Sequence, residues 1–380
     1  MTGIYLDYNA STPIDPRVSA VMRPLLGDLF GNPSSEHWAS HRAAGVLFRA
    51  RKQVATLIGA SPKEIVFTSG GSEANNLAIK GTFFALRDKG NHIITQATEH
   101  PAVLKPLAFL ERLGAEVTFL PVDGAGRLDP DLVRRAVNSR TILISIMHAN
   151  NETGTIQPIE EIGAIAREFD IRFHTDAAQS VGKIETNVDN LGVDFLSVAG
   201  HKLYAPKGVG ALYVRNETTL EPLIHGAGHE GGRRAGTESV LMAAALGEAC
   251  KSAMDWIGMP TVQRLRDIFW SSLRETFGNR VVLNGHSSER LPNTLNVSFP
   301  GRTGADILAR LPEIAASTGS ACHAGRVTLS PVLQAMGVAP DVGMGAIRFS
   351  LGRETTPGQI DGAVEGLRSV LLNDPHRLQS

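Results

Sequence analysis

Lys202 sits in the stretch SVAGHKLYAPKG, directly after Gly200 and His201 and behind an apolar run. A lysine at a buried, glycine-lined turn is costly to keep charged, so its pKa falls, and a neutral amine near physiological pH is what a Schiff base requires. Taken alone, it reads as well as a solvated loop lysine, like Lys207 a few residues on. Two other stretches carry complementary chemistry. In EIVFTSGGSEANN, Gly70 and Gly71 allow close backbone approach and Ser72 can cap a helix whose exposed N–H groups face an anion. That is a phosphate site without a Walker lysine, or a plain strand-to-helix turn. IRFHTDAAQ ends a strand in Asp176 and Gln179, and a carboxylate there can ligate a metal, cap a helix or partner a protonated ring nitrogen.

These residues need a frame that collects strand ends. From about residue 60 to 215, seven β-rich runs (EIVF, HIIT, EVTFL, TILISIM, IRFHT, DFLSVA and GALYV) alternate with helix-like segments, which argues for a mainly parallel sheet with crossover helices. Glycine concentrates where those strands end, at GGSE, ANNETG, AGHK and GAGHEGGRRAG, and ligands of open α/β sheets collect outside the carboxyl ends of strands. After about residue 257 the pattern changes to long helical stretches and separated strands, an α+β arrangement. The 37 basic and 38 acidic residues leave a net charge of −1, so no broad attraction to nucleic acid or anionic membrane is expected. No apolar run is long enough to span a bilayer, and no signal-peptide pattern opens the chain. Cys250 and Cys322 give neither a disulfide framework nor metal-ligand spacing, which fits a reducing compartment. The expectation is a soluble, cytoplasmic protein.

A phosphate cradle, a strand-end aspartate and a strand-end lysine are together the parts that hold pyridoxal 5′-phosphate. The phosphate goes to the helix start, the ring nitrogen to Asp176 and the aldehyde to Lys202. The chain resembles the cysteine desulfurases of the NifS/IscS type, class V aminotransferases of the fold-type I pyridoxal-phosphate enzymes. The resemblance rests on YLDYNASTPIDPRV, FGNPSS, FTSGGSEANNLAIKG, ATEHPAVL, MHANNETG, HTDAAQS, GHKLYAPKG, RRAGTE, STGSACHAG and IRFSLGR, in the family's order. It implies an aspartate aminotransferase-like α/β fold: a large cofactor-binding domain over 14–257 with a seven-stranded mainly parallel sheet, and a small α+β domain from 1–13 and 258–380 carrying the catalytic cysteine. It also implies that Gly71 and Ser72 belong to the phosphate loop, that His100 stacks on the ring, that Asn151 meets the ring hydroxyl and that Gln179 is a further ring contact. His201 becomes a phosphate neighbour, Lys202 the cofactor-bearing lysine, and Thr237 a phosphate ligand lent by the opposite subunit of a homodimer. Arg348 would clamp the substrate carboxylate.

Cys250, on an apolar helix, reads as a small buried hydrophobe, whereas Cys322 is surrounded by glycine, serine and alanine in STGSACHAG, which argues for an exposed loop. The resemblance makes Cys322 the nucleophile that takes sulfur from L-cysteine as a persulfide. Two departures stand out. Ala199 replaces the serine that family members commonly carry three residues before the lysine, removing a phosphate hydrogen bond worth roughly 1.5–3 kcal/mol. CHAG with the short RVTLSPVLQAMGV looks closer to selenocysteine lyases, so release of selenide from L-selenocysteine is the alternative activity. The tail after Arg353 is shorter than in desulfurases that dock an iron–sulfur scaffold there. The sulfur acceptor is therefore open among an iron–sulfur scaffold and tRNA or DNA thiolation proteins. A nucleotide-binding module using the GG loop is a further alternative, and a plain aminotransferase leaves Cys322 without a task.

Overall fold

The computed structural model describes residues 3–319, 322–323 and 326–372, the side chains of 322–323 and 326–327 excepted. The chain opens with β1 (Ile4–Tyr5) and the helix α1 (Trp38–Ile58), then enters the main sheet. Its strands are β2 (Ile65–Thr68), β3 (His92–Gln96), β4 (Glu116–Leu120), β5 (Thr141–Ser145), β6 (Arg172–Asp176), β7 (Phe195–Ala199) and β8 (Gly210–Val214), in the spatial order β2-β8-β7-β6-β5-β3-β4. All neighbours are parallel except β8, which runs antiparallel to both β2 and β7. The expected seven-stranded mainly parallel sheet is present.

Strands covered on both faces must be apolar throughout, and β2, β3, β6, β7 and β8 are buried along nearly their whole length. β4, at the edge, instead exposes Glu116 and Phe119. The polar groups inside the sheet are paired. His174 on β6 hydrogen-bonds Ser145 Oγ on β5 at 2.8 Å through Nδ1 and Ser197 Oγ on β7 at 3.0 Å through Nε2. Burial drives the His174 pKa down to about 3, so this clamp is a neutral one.

Helices α2 (Gly71–Leu86) and α3 (Pro101–Glu111) start directly after β2 and β3, which aims their N-termini at the rim of the sheet. α4 (Val240–Ala253) packs on α1 where Gly247 meets Ala50. A second core surrounds Phe269 of α5 (Pro260–Phe277) and Phe349, whose rings stand edge to face at 5.0 Å. It is covered by the antiparallel sheet of β9 (Val282–Asn284), β10 (Thr294–Ser298) and β14 (Ala346–Ser350), and by the C-terminal helix from Pro357 to Leu372. Leu6 is buried in this second core, and β1 pairs with β11 (Ile314–Ala315), so the first residues of the chain pack with its last third. Beside β14 the segment 6–8 is held by Ser350 N–H donating to Leu6 O at 2.7 Å and Tyr8 N–H donating to Ser350 O at 3.2 Å. Among the described residues no helix is long and apolar enough to cross a membrane.

A Cβ at Gly247 would lie 2.6 Å from Ala50 Cα, so α1 and α4 approach at backbone distance. Gly247→Val is expected to lower unfolding free energy by about 1–3 kcal/mol through overpacking, read from urea denaturation; an unchanged midpoint would contradict the close contact.

Candidate active site

The carboxyl ends of β2, β3, β5, β6 and β7 and the start of β8 surround one cavity of about 610 Å³. At one end lies the turn into α2. Gly70 has φ +153°, a backbone that side-chain-bearing residues rarely adopt, and a Cβ on Gly71 would stand 3.1 Å from Ala199 Cβ. Small residues on both sides therefore let the helix start reach the end of β7. The first-turn N–H groups of a 16-residue helix, which have no acceptors within it, face this end of the cavity with Ser72. His201 lines the same end, and its buried Nδ1 has no partner. Burial, aided by Lys202 and Lys207, pushes its pKa down to about 4, so it is a neutral ring.

Asp176, which also lines the cavity, is buried at the end of β6. Its Oδ2 accepts from Asn75 Nδ2 at 2.6 Å and its Oδ1 from the Ala178 N–H at 2.9 Å. Among the described residues no group of three or more His, Cys, Asp or Glu is arranged to hold a metal ion. Two amide N–H donors thus fix the orientation of the carboxylate. His100 caps α3, its Nδ1 accepting from the Ala102 N–H at 3.1 Å, which leaves Nε2 to carry the proton of the neutral ring. Desolvation lowers its pKa from the ordinary histidine value, with Asp176 opposing and Lys202 adding.

Lys202 reaches from the 3₁₀ turn after β7 to two main-chain acceptors, the carbonyls of Asn9 and, at 2.8 Å, Ala10. Burial lowers its pKa to about 8, with Arg348 adding to the shift and Asp7 and Asp176 opposing it. About a tenth of the amine is then neutral at pH 7, some hundreds of times more than for a free lysine. Arg348, on β14, enters from the second core: Nη2 donates to Asp7 Oδ1 at 2.7 Å, Nη1 to Asn151 O at 2.9 Å, and its buried Nε has no partner. That guanidinium keeps donors in hand for a carboxylate.

The residues suit a phosphorylated pyridine aldehyde: one cavity collects an anion seat at a helix start, an orphaned imidazole nitrogen, a buried carboxylate and an amine of depressed pKa. Gly71, Ser72, His100, Asn151, Asp176, Gln179, His201, Lys202 and Arg348 all line this cavity. Gln179 does so with its amide already committed, Nε2 to Asn9 O at 3.0 Å and Oε1 to Lys183 Nζ at 2.9 Å. Thr237 of the same chain lies instead in an adjoining cavity of about 120 Å³, which shares Ser69, Gly208 and Val209 with the first. Cys322 and His323 form β12, paired antiparallel with β13 (Arg326–Val327), where the sequence suggests an open loop. The Cys322 side chain lies outside the described part of the structure. Cys250 is fully buried, and burial raises its thiol pKa.

Sequence reasoning assigned no role to Asp7, Asn9, Asn75 or Lys183, all of which contact the site residues. The first two lie in YLDYNAS and Asn75 in GGSEANN, so the signal was a polar side chain inside a stretch already singled out.

Residues 4–362 match the aminotransferase class-V family model. The chain belongs to that family, whose cofactor is pyridoxal 5′-phosphate. Within it, the chain is 48% identical over 372 residues to the cysteine desulfurase IscS of Dictyoglomus turgidum, covering 97% of this chain and 94% of that protein. Among solved structures it is similar to a NifS-like protein, with TM-score 0.90, 34% identity and coverage of 98% of this chain and 100% of that one. It is also similar to SspA in complex with cysteine, with TM-score 0.82, 40% identity and coverage of 91% and 98%.

In the cofactor-free protein, site-resolved acylation of Lys202 should reach half its maximal rate near pH 8 rather than 10.5. Arg348→Met removes a neighbouring cation and should move that midpoint upward; a wild-type midpoint at the ordinary lysine value would contradict the burial argument.

Proposed function

We propose that this chain is a homodimeric, cytoplasmic, pyridoxal-phosphate-dependent cysteine desulfurase that converts L-cysteine to L-alanine and moves the sulfur onto Cys322 as a persulfide. The observation that carries the reading is the convergence of the Lys202 amine, the Asp176 carboxylate and the Arg348 guanidinium on one cavity. The full-length desulfurase relatives and the cysteine complex of SspA support cysteine as substrate, and the selenocysteine alternative suggested by Ala199 and CHAG is not favoured.

Pyridoxal 5′-phosphate, when bound, supplies the electron sink for negative charge at the substrate's α carbon. Gly71, Ser72 and His201 hold its phosphate, Asp176 keeps a proton at its ring nitrogen, His100, Asn151 and Gln179 border its ring, and Lys202 carries it. Lys202 then moves the α proton, and Arg348 grips the substrate carboxylate through its planar donors. His100, with its proton on Nε2, acts at the substrate sulfur as a donor. The Cys322 thiolate attacks that sulfur: an S–S bond forms as the C–S bond breaks, and the electron pair passes to the substrate's β carbon, which is protonated to give alanine. An acceptor protein then takes the sulfur; whether it serves iron–sulfur clusters or tRNA or DNA thiolation is left to its own chemistry.

The dimer reading is supported by Leu26, Phe30, Trp38 and Phe48, which are 60–80% exposed near the start of the chain, and by the thin wall between the Thr237 cavity and the main one. Thr237 would then serve the partner's phosphate site. We read 14–257 as the cofactor-binding domain and 1–13 with 258–380 as the second, in keeping with two separate cores.

The purified, cofactor-loaded protein should release alanine from L-cysteine, and Lys202→Ala should abolish it. Cys322→Ala should lower sulfur transfer by about 100-fold or more while the cofactor stays bound. Hydride reduction followed by mass spectrometry should label Lys202; a label on another side chain, or full turnover without Cys322, would overturn the assignment.

A further inference from the structure

The segment carrying Cys322 departs after Ser317, which bridges to Arg348 of β14, and ends at Ser330, and the described residues at both roots are tied to the loop that bears Asn151. At the return, Ser330 caps α6 (Pro331–Ala335): its Oγ accepts from the N–H groups of Val332 at 3.1 Å and Leu333 at 3.4 Å. With both lone pairs engaged, its hydroxyl proton is aimed, and it donates to Glu152 Oε2 at 2.5 Å. At the departure, Gly319 lies against the same oxygen. A Cβ there would stand 2.1 Å from Glu152 Oε2 and 3.1 Å from Ser330 Cβ, so the chain passes at a distance that only glycine permits. Glu152 is itself fixed, its N–H donating to Asn150 Oδ1 at 2.8 Å and its carbonyl accepting from Asn296 Nδ2 at 3.1 Å. Burial raises the pKa of its carboxyl, with Ser330 and then Arg348 opposing.

We propose that Glu152 is a positioning residue for sulfur transfer: one carboxylate oxygen, next to Asn151 in sequence, fastens both roots of the cysteine segment to the rim of the cofactor cavity. Glu152 does not line the cofactor cavity. It acts through Ser330 and Gly319, setting where the segment between them begins and ends. The inference rests on the reading of Cys322 as the sulfur-accepting nucleophile.

The test uses the cofactor-loaded enzyme with three readouts: kcat and KM for L-cysteine, the absorbance of the bound cofactor, and the rate at which iodoacetamide alkylates Cys322 without substrate, Cys250 being buried. Glu152→Ala should lower kcat about tenfold or more and change the alkylation rate about threefold, with KM and cofactor absorbance within about twofold of wild type. Glu152→Gln keeps an acceptor for Ser330 and should restore kcat to within about threefold of wild type. Ser330→Ala, which removes one hydroxyl, should reproduce the Glu152→Ala pattern and decides the matter if that variant does not fold. Gly319→Ala should cost about tenfold in kcat in the wild type but less than about twofold in the Glu152→Ala background, because the clash partner is gone. The proposal is overturned if Glu152→Ala and Ser330→Ala leave kcat and alkylation unchanged, if activity and cofactor are lost in proportion, or if Gly319→Ala costs the same in both backgrounds. Alkylation does not depend on turnover, so failure of the anchor appears there, whereas failure of the Cys322 reading appears as full activity of Cys322→Ala.

Discussion

Asn9 uses every polar atom it has. Its N–H donates to Ser350 Oγ, its Nδ2 to Thr294 Oγ1 and Asn151 O, its Oδ1 accepts from Lys183 and Asn293, and its carbonyl accepts from Gln179 and Lys202. Three of these partners belong to the second core's sheet or its approach, and the rest belong to the strand ends of the first. Asn9 is thereby a lock between the two, beside the bonds of Arg348 to Asn151 and Asn296 to Glu152. The same residue gives the Lys202 amine a main-chain acceptor where water would otherwise stand.

Charge in the cavity is lower than a count of its side chains suggests. Lys183 is buried beneath Gln179, and its pKa is held well below the ordinary lysine value by burial, then by Lys202 and Arg348. Desolvation acts on Lys202 as well, while Asp7 and Asp176 limit how far its pKa falls. A lysine in this balance can hold and release a proton near neutrality, and the neutral His201 and His100 add no competing positive charge. Arg348 stays a cation throughout, with its Nε unpartnered.

Much of this was legible in the sequence because strand, turn and helix signals are local. Gly70 to Ser72, Asp176 and Lys202 each sit where an apolar run ends, and all five of the other cavity-lining site residues lie in motifs quoted from the chain. The seven β-rich runs became seven strands in chain order. The antiparallel insertion of GALYV between β2 and β7 was not legible, since strand composition does not encode which neighbour a crossover selects. EVTFL lies at the edge with Glu116 and Phe119 exposed, and its apolar Phe119 gave no sign of that position. The roles of Asn9, Asn75 and Lys183 were hidden for a different reason. Their importance lies in partners 101 residues away for Asn75 and 341 for Asn9, and pairings at such separation leave no local trace.

The position of Asn9 also bears on how the protein matures. Synthesis runs from the N-terminus, and Asn9 waits for Asn293, Thr294 and Ser350, made 284 to 341 residues later, before its bonds can close. The main sheet can condense on the ribosome, but its ligand-binding rim stays unfinished until Ser350 has emerged. Capture of the vitamin-derived group is thereby deferred to the finished chain, and a truncated product, however well its first core folds, would lack the wall that retains it.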